Sequence, residues 1–193
     1  MPDIKKIGES LKQHDIAQET IDSLLGRREG LPLLRRKASA AARLAQVVAR
    51  MEEALPEEQL IEIMGWCACC TGGKRADDCK AYRKKSSGLE LKARVDGLSE
   101  VRFMGNPRLN ADGTISAFIS WKAGGSYMCP CPCFAGIKMK DAVSKTYCLC
   151  CAGHFRHHYR NALGIELRTI GVVSSALNSG GSMPCEFAYQ VIE

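Results

Sequence analysis

The sequence predicts an α+β protein, with an N-terminal helical layer followed by an antiparallel sheet with packed helices. Three observations carry this. Residues 1–65 repeat apolar side chains at three- and four-residue steps, the period of a helix face. Beyond residue 101 the apolar residues fall into short extended runs around an Asp-Gly turn. The C-terminal stretch then reads helix, strand, glycine-rich turn, strand.

In order along the chain, Asp15 is placed to N-cap a segment carrying Ile16, Ile21, Leu24 and Leu25, and Gly26 to end it. Pro32 opens a longer helix on Leu34, Ala38, Ala41, Ala45, Val48, Met51 and Leu55. Pro56 starts another, PEEQLIEIMG, with Glu57 and Glu58 favourable near its N-terminus and Gly65 as its stop. A helix resumes after Gly72 and Gly73 over KRADDCKAYRKK. The stretch 89–101 fits either a short helix on Leu91, Val95 and Leu98 or a strand. FMGNPRLNADGTISAFISW reads as two extended segments about Asn110–Gly113, because Asp-Gly supplies the positive φ such turns require. AGHFRHHYRNALG sets Phe155, Tyr159, Ala162 and Leu163 on one helical face and stops at Gly164. IELRTIGVVSSAL and CEFAYQVI are strands joined by NSGGSMP. The division expected is 1–65, a helical segment, and 66–193, a Cys-rich α+β domain, or one continuous domain.

Composition narrows the function classes. A chain of 193 residues can bury a core without covalent staples, and eleven cysteines, an odd number, argue against a closed disulfide framework. The start, MPDIKKIGESLKQHD, has no apolar stretch after its lysines, and no run approaches the ~18 apolar residues of a membrane helix. A soluble, cytoplasmic protein is therefore expected, in a compartment where clustered cysteines bind metal or do redox chemistry. The net charge of +6 lies entirely in residues 61–193. With no aromatic-interleaved basic stripe, that excess suits a small anionic ligand and makes nucleic acid an unlikely partner. It leaves a homodimer open.

Six of the eleven cysteines fall within residues 129–151. WCACCTGGKR at 66–75 and YCLCCAGHFR at 147–156 share one pattern: aromatic, Cys, any, Cys, Cys, small, Gly, two more, Arg. Both are expected just before a helix, whose partial positive charge stabilises thiolates. Cys67 with Cys70, and Cys148 with Cys151, keep C-x-x-C spacing, so two such turns would complete the four sulfurs of a tetrahedral zinc site. In CPCPCF, Pro130 and Pro132 favour extended geometry, which projects Cys129, Cys131 and Cys133 to one side as a second site or as further ligands. Zinc is the expected cofactor and an iron–sulfur cluster the alternative, although the C-x-x-C-x-x-C run common in clusters is missing. Cys79 is either a ligand or a plain thiol.

His154 and His158 lie four residues apart on one helical face without the Glu of the H-E-x-x-H motif. With Arg156 they read as a solvated basic face or as an anion-binding face. TGGKR at 71–75 fails the P-loop spacing, and Lys80, Arg83, Lys84 and Lys85 read as solvated.

SKTYCLCCAGHFRHHYRNALGIELRTIGVVSSALNSGGSMPCEFAYQVIE, residues 144–193, resembles the C-terminal part of 4-vinyl-reductase-type domains and of aminothiazoline-carboxylate-hydrolase-like proteins. The matching positions are Cys148, Cys151, Gly153, Gly164, Gly180, Gly181, Cys185 and Phe187. The resemblance implies an α+β small-molecule-binding fold with metal-binding cysteines and an apolar ligand pocket. It makes Cys185 either a ligand beside Cys148 and Cys151 or a buried small residue. Ser182 stands where the family carries an acidic residue after the turn glycine, so enzymatic activity is not carried over.

The leading expectation is a metal-binding, zinc-thiolate protein with a small-molecule-binding domain. One alternative is a thiol- or metal-dependent hydrolase, with His154 or His158 as base, Cys151 or Cys133 as nucleophile, and Glu186 or Asp141 as acidic partner. The other is a redox or metal sensor.

Overall fold

A computed structural model describes residues 3–26, 37–137, 139 and 142–192. Among them are seven helices, a four-stranded antiparallel sheet and a two-stranded ribbon, which establishes the α+β class. Helices α1 (Ile4–Gln13), α2 (Gln18–Leu25), α3 (Lys37–Ala54) and α4 (Glu57–Trp66) form the N-terminal layer. The Asp3 carboxylate caps α1 by accepting from the Lys6 N–H at 2.8 Å. Asp15 does not cap the next helix. It takes φ +56° in the turn, and α2 begins at Gln18 after Ala17.

Pro32 and Leu34 lie outside the described residues. The α3 face in the core is Ala41, Leu44, Val47, Val48 and Met51, while Ala38 is exposed and Ala45 half-buried. An apolar stripe read from alanines is weakly directional, and Leu44 and Val47 turn the helix toward the larger side chains.

Gly65 does not stop α4 either. It lies inside the last turn and faces Gly153 of α7 (Leu149–Leu163). A Cβ on Gly153 would run into the Gly65 carbonyl and stand 2.6 Å from its Cα. These glycines let two helix backbones approach more closely than side chains would allow.

Helix α5 (Lys74–Ser86) follows the Gly72-Gly73 pair. Residues 89–101 resolve to helix, α6 (Leu91–Gly97) with a 3₁₀ turn at Leu98–Glu100 that buries Val95 and Leu98. Strands β1 (Asn106–Leu109) and β2 (Ile115–Ile119) form the expected hairpin. β3 (Lys122–Ala123) and β4 (Ser126–Tyr127) make the ribbon. A 3₁₀ turn, Lys145–Cys148, leads into α7, which ends at Gly164 in the left-handed conformation. β5 (Glu166–Ser174) and β6 (Cys185–Ile192) complete the sheet, in the order β1-β2-β6-β5.

The sheet register puts Ile115, Ala117, Leu167, Thr169, Cys185, Phe187 and Tyr189 on the buried face. Phe155 of α7 stacks on Phe187 at 5.7 Å between centroids, and Tyr159 meets Tyr189 edge-on at 6.1 Å. Each such ring contributes about 1.5–3 kcal/mol by leaving water. Their hydroxyls are also satisfied: Tyr159 donates to the Met104 carbonyl at 2.6 Å and Tyr189 to the Ala152 carbonyl at 2.9 Å. The second bond pins the first turn of α7 above β6. These rings fill the space between α7 and the sheet.

Candidate functional site

All eleven cysteines are present as thiols, and the fold sorts them into three places. The largest group lies where the 129–133 loop, the first turn of α7 and the start of β6 meet. Cys148 and Cys185 converge on adjacent residues: Cys148 Sγ is 3.1 Å from Ser175 Oγ, and the Ala176 N–H donates to Cys185 Sγ at 3.4 Å. The neighbouring Cys151 thiol and burial raise Cys150. Cys151 also lies close enough to Cys129, Cys148 and Cys185 that its charge would oppose theirs. Burial pushes the Cys129 thiol up to about 12 and raises Cys148 and Cys185 as well.

Cys131 is the exception in this group. Hydrogen bonds from the Cys133 thiol, the Tyr147 hydroxyl at 3.0 Å, and the Cys133 and Phe134 amides outweigh burial and lower it to about 6. Cys133 is driven the other way, because it supplies the proton that stabilises Cys131. Phe134 holds Tyr147 in place by an edge-on contact at 4.7 Å. The extended geometry expected through Cys133 is not kept: the chain turns after Cys131, whose carbonyl accepts from the Phe134 N–H at 3.0 Å and the Ala135 N–H at 2.8 Å.

The second place is the turn between α4 and α5. Here the two ten-residue repeats part company. Cys148, Cys150 and Cys151 cap or enter the first turn of α7, whereas Cys67 caps the end of α4 and α5 begins only at Lys74. Cys67 points at α1, donating to the Lys6 carbonyl at 3.7 Å, and burial raises it to about 11. Cys70, at φ +59°, is exposed. Burial and the adjoining Cys70 thiol raise Cys69, which also has Cys151 near it. The neighbour of Cys70 is thus Cys69, and Cys67 looks away to α1.

Three imidazoles of α7 hold this turn. His154 Nδ1–H donates to the Cys69 carbonyl at 2.6 Å, His158 Nε2–H to the Cys70 carbonyl at 3.0 Å, and His157 Nε2–H to the Thr71 carbonyl at 3.0 Å. From the opposite side the Lys6 ammonium donates to the Ala68 carbonyl at 2.7 Å. Consecutive carbonyls that no helix could satisfy are each given a donor. This corrects the solvated or anion-binding face expected of His154 and His158, both of which are buried.

The third place is the one side chain behind that turn, Cys79 of α5. It donates to His158 Nδ1 at 3.5 Å, and Arg75 donates to His154 Nε2 at 3.3 Å. Both nitrogens of both rings are therefore engaged, His158 by a thiol and a carbonyl and His154 by a guanidinium and a carbonyl. Burial lowers His158 to about 4 and raises Cys79 to about 11. The pair stays neutral imidazole and thiol rather than an activated ion pair.

Arg156 sits elsewhere. It pairs with Glu62 at 2.9 and 3.3 Å and, with His14, Trp66, His157 and Arg160, lines a cleft of about 240 Å³ between α4 and α7. The guanidinium holds the Glu62 carboxyl below its ordinary range. Glu186 accepts from Ser116 at 3.2 Å on the sheet, and Asp141 lies outside the described residues.

Among the described residues, no three Cys, His, Asp or Glu side chains meet at a point as metal ligands do. Sequence reasoning missed Tyr147 and Ser175, which it had no reason to prefer over their neighbours. No helix among the described residues is long and apolar enough to cross a membrane. Compared with family models, curated proteins and solved structures, the chain finds no match.

Proposed function

We propose that the chain is a thiolate metal-binding protein that holds zinc among Cys129, Cys131, Cys133, Cys148, Cys151 and Cys185. The observation that carries this reading is the approach of thiols from three segments, 129–133, 148–151 and the start of β6, of which Cys131, Cys148 and Cys185 are buried. Burial opposes ionisation of Cys129, Cys148 and Cys185. A dication reverses that balance, because it supplies the charge that lets buried sulfurs release their protons. A donor set rich in sulfur and poor in oxygen selects zinc or another thiophilic ion over magnesium or calcium. An iron–sulfur cluster would draw on the same sulfurs. The 4-vinyl-reductase-type resemblance points the same way through Cys148, Cys151 and Cys185, and a small anionic ligand would be placed in the cleft beside Arg156.

The test is metal content per chain, measured on untagged protein as wild type, Cys151→Ser and Cys67→Ser. Stoichiometric zinc that falls in Cys151→Ser and survives in Cys67→Ser supports the reading. Equal loss in both variants, or none in either, defeats it.

A second reading rests on Cys131 alone. A thiolate beside a proton-donating Cys133 and Tyr147 has the character of a nucleophile or of one half of a reversible dithiol. Metal-free, folded protein whose Cys131 reacts fastest with an alkylating agent at neutral pH would favour it.

A further inference from the structure

We propose that the cleft between α4 and α7 binds a small aromatic carboxylate, its carboxylate on the Arg156 guanidinium in the place that Glu62 takes here and its ring beside Trp66. The inference rests on the anionic-ligand part of the reading above, to which it adds the class of the ligand, and is independent of the metal.

Two helix faces make the cleft. Glu62, Gly65 and Trp66 lie three and four residues apart on α4, and Gly153, Arg156 and Arg160 keep helical spacing on α7, so each set shares one face. Where the faces meet, the two glycines leave the seam bare of side chains, and a Cβ on Gly65 would stand 3.3 Å from the Arg156 guanidinium. Charge then decides what fits beside the seam. The Arg156 side chain is 17% exposed and that of Glu62 52%, so the guanidinium is held by packing while its partner stands mostly in water. Glu62 meets the fork with both carboxylate oxygens, at 2.9 and 3.3 Å, the geometry in which arginine recognises a carboxylate. A pair with so exposed a partner contributes little, and a carboxylate that also brings an apolar ring can replace Glu62, which turns out to solvent. Arg160, joined to Glu166, adds a second guanidinium to the same helix face.

Size and apolar surface set the rest of the ligand. The cleft holds about 240 Å³, below the roughly 300–1,000 Å³ of sites for drug-sized molecules. That leaves room for one ring and its carboxylate and excludes a nucleotide. Trp66 lines the cleft and is 43% exposed, so its indole has surface to give to a second ring, in the offset or edge-on contact that aromatic pairs prefer.

Trp66 reports on its own cleft. The chain has two tryptophans, and Trp121→Phe, at an exposed position outside the cleft lining, leaves Trp66 as the one indole fluorophore. Full-length protein with this change is titrated with benzoate, benzamide and acetate, following Trp66 emission, with far-UV circular dichroism as the check on folding. Benzoate should change the emission saturably and bind about tenfold or more tighter than either control, since benzamide lacks the charge-assisted hydrogen bonds and acetate the ring. Arg156→Lys should weaken benzoate about tenfold, because an ammonium cannot make the paired contact. Glu62→Gln should tighten it severalfold, because the internal competitor is gone. Acetate binding as tightly as benzoate overturns the aromatic class and leaves an anion site. Benzamide binding as tightly as benzoate, or benzoate affinity unmoved by either variant, overturns the assignment of the carboxylate to Arg156; Glu62→Gln keeps this arm decisive even where Arg156→Lys fails to fold. If none of the three probes binds, the anionic-ligand reading fails together with this one, while the zinc reading is decided separately by metal content.

Discussion

The imidazole of His158 is held neutral between a thiol and a carbonyl, and its titration can be assigned a sign. Its folded pKa lies near 4, below the ordinary 6.5. As pH falls below 6.5 the unfolded chain takes up a proton that the folded chain refuses, so stability is complete above 6.5 and is lost progressively toward 4. His154 shifts the same way, by burial first. Melting temperature plotted against pH should therefore fall between pH 6.5 and 4, and His158→Asn should flatten that fall while lowering stability at neutral pH. A variant curve parallel to wild type would contradict the assignment. In metal-free protein Cys131 has the same sign, depressed to about 6 from an ordinary 9. It contributes stability that is full above pH 9 and lost as pH falls to 6. Cys133, raised by its partner, opposes this above pH 9. The pH dependence of Cys131 alkylation should show a midpoint near 6 that rises in Cys133→Ala and in Tyr147→Phe. A midpoint near 9 in wild type would contradict the hydrogen-bond pattern.

At the scale of elements, the contact of α4 with α7 rests on two glycines of unequal burden. A methyl on Gly153 meets Gly65 backbone, which cannot yield, whereas one on Gly65 meets chiefly the Arg156 guanidinium at 3.3 Å, which can. Gly153→Ala should cost about 1–3 kcal/mol or more by overpacking, lowering the melting temperature by roughly 2–4 °C per kcal/mol in a chain of this size. Gly65→Ala should cost less than about 1 kcal/mol, within the range of flexible side-chain adjustments. Equal costs would show that the backbones do not meet as described.

This contact marks where the sequence could be read and where it could not. Helix α7, the β1–β2 hairpin and the last two strands announce themselves through apolar period and turn chemistry, which are local. Gly65 looked like a stop because the same residue serves helix ends and close approaches, and only the partner helix decides between them. His154 and His158 looked solvated because their partners are backbone carbonyls of residues 69 and 70, remote in sequence and identical in every residue type. The cysteine repeat failed in the same way: Cys67 and Cys148 share a pattern, but one caps a helix end and the other a helix start. What was legible of the site was the clustering of CPCPC with CLCC, where two prolines and short spacing leave the chain few geometries.

For the whole molecule, one core runs from Ile7 and Leu11 of α1 through Met64 of α4 to Phe155 and Phe187. The thiol neighbourhood lies within it, with Cys131, Cys148, Cys150 and Cys185 packed as core residues. Metal removal should therefore be felt globally rather than at a loop. A metal-loaded protein treated with a strong chelator should unfold at a lower temperature, since an ion that binds only the folded chain stabilises it by about 4 kcal/mol at a thousandfold excess over its dissociation constant. An unchanged melting curve after complete metal removal would place the ion outside the core.

X-ray absorption at the zinc edge of protein purified without added metal or affinity-tag histidines tests the proposed thiolate centre itself. The prediction is bound zinc surrounded by sulfur at about 2.3 Å, with no imidazole scattering, because His154 and His158 are committed to backbone carbonyls. Protein free of zinc, or zinc ringed by nitrogen and oxygen, would contradict it.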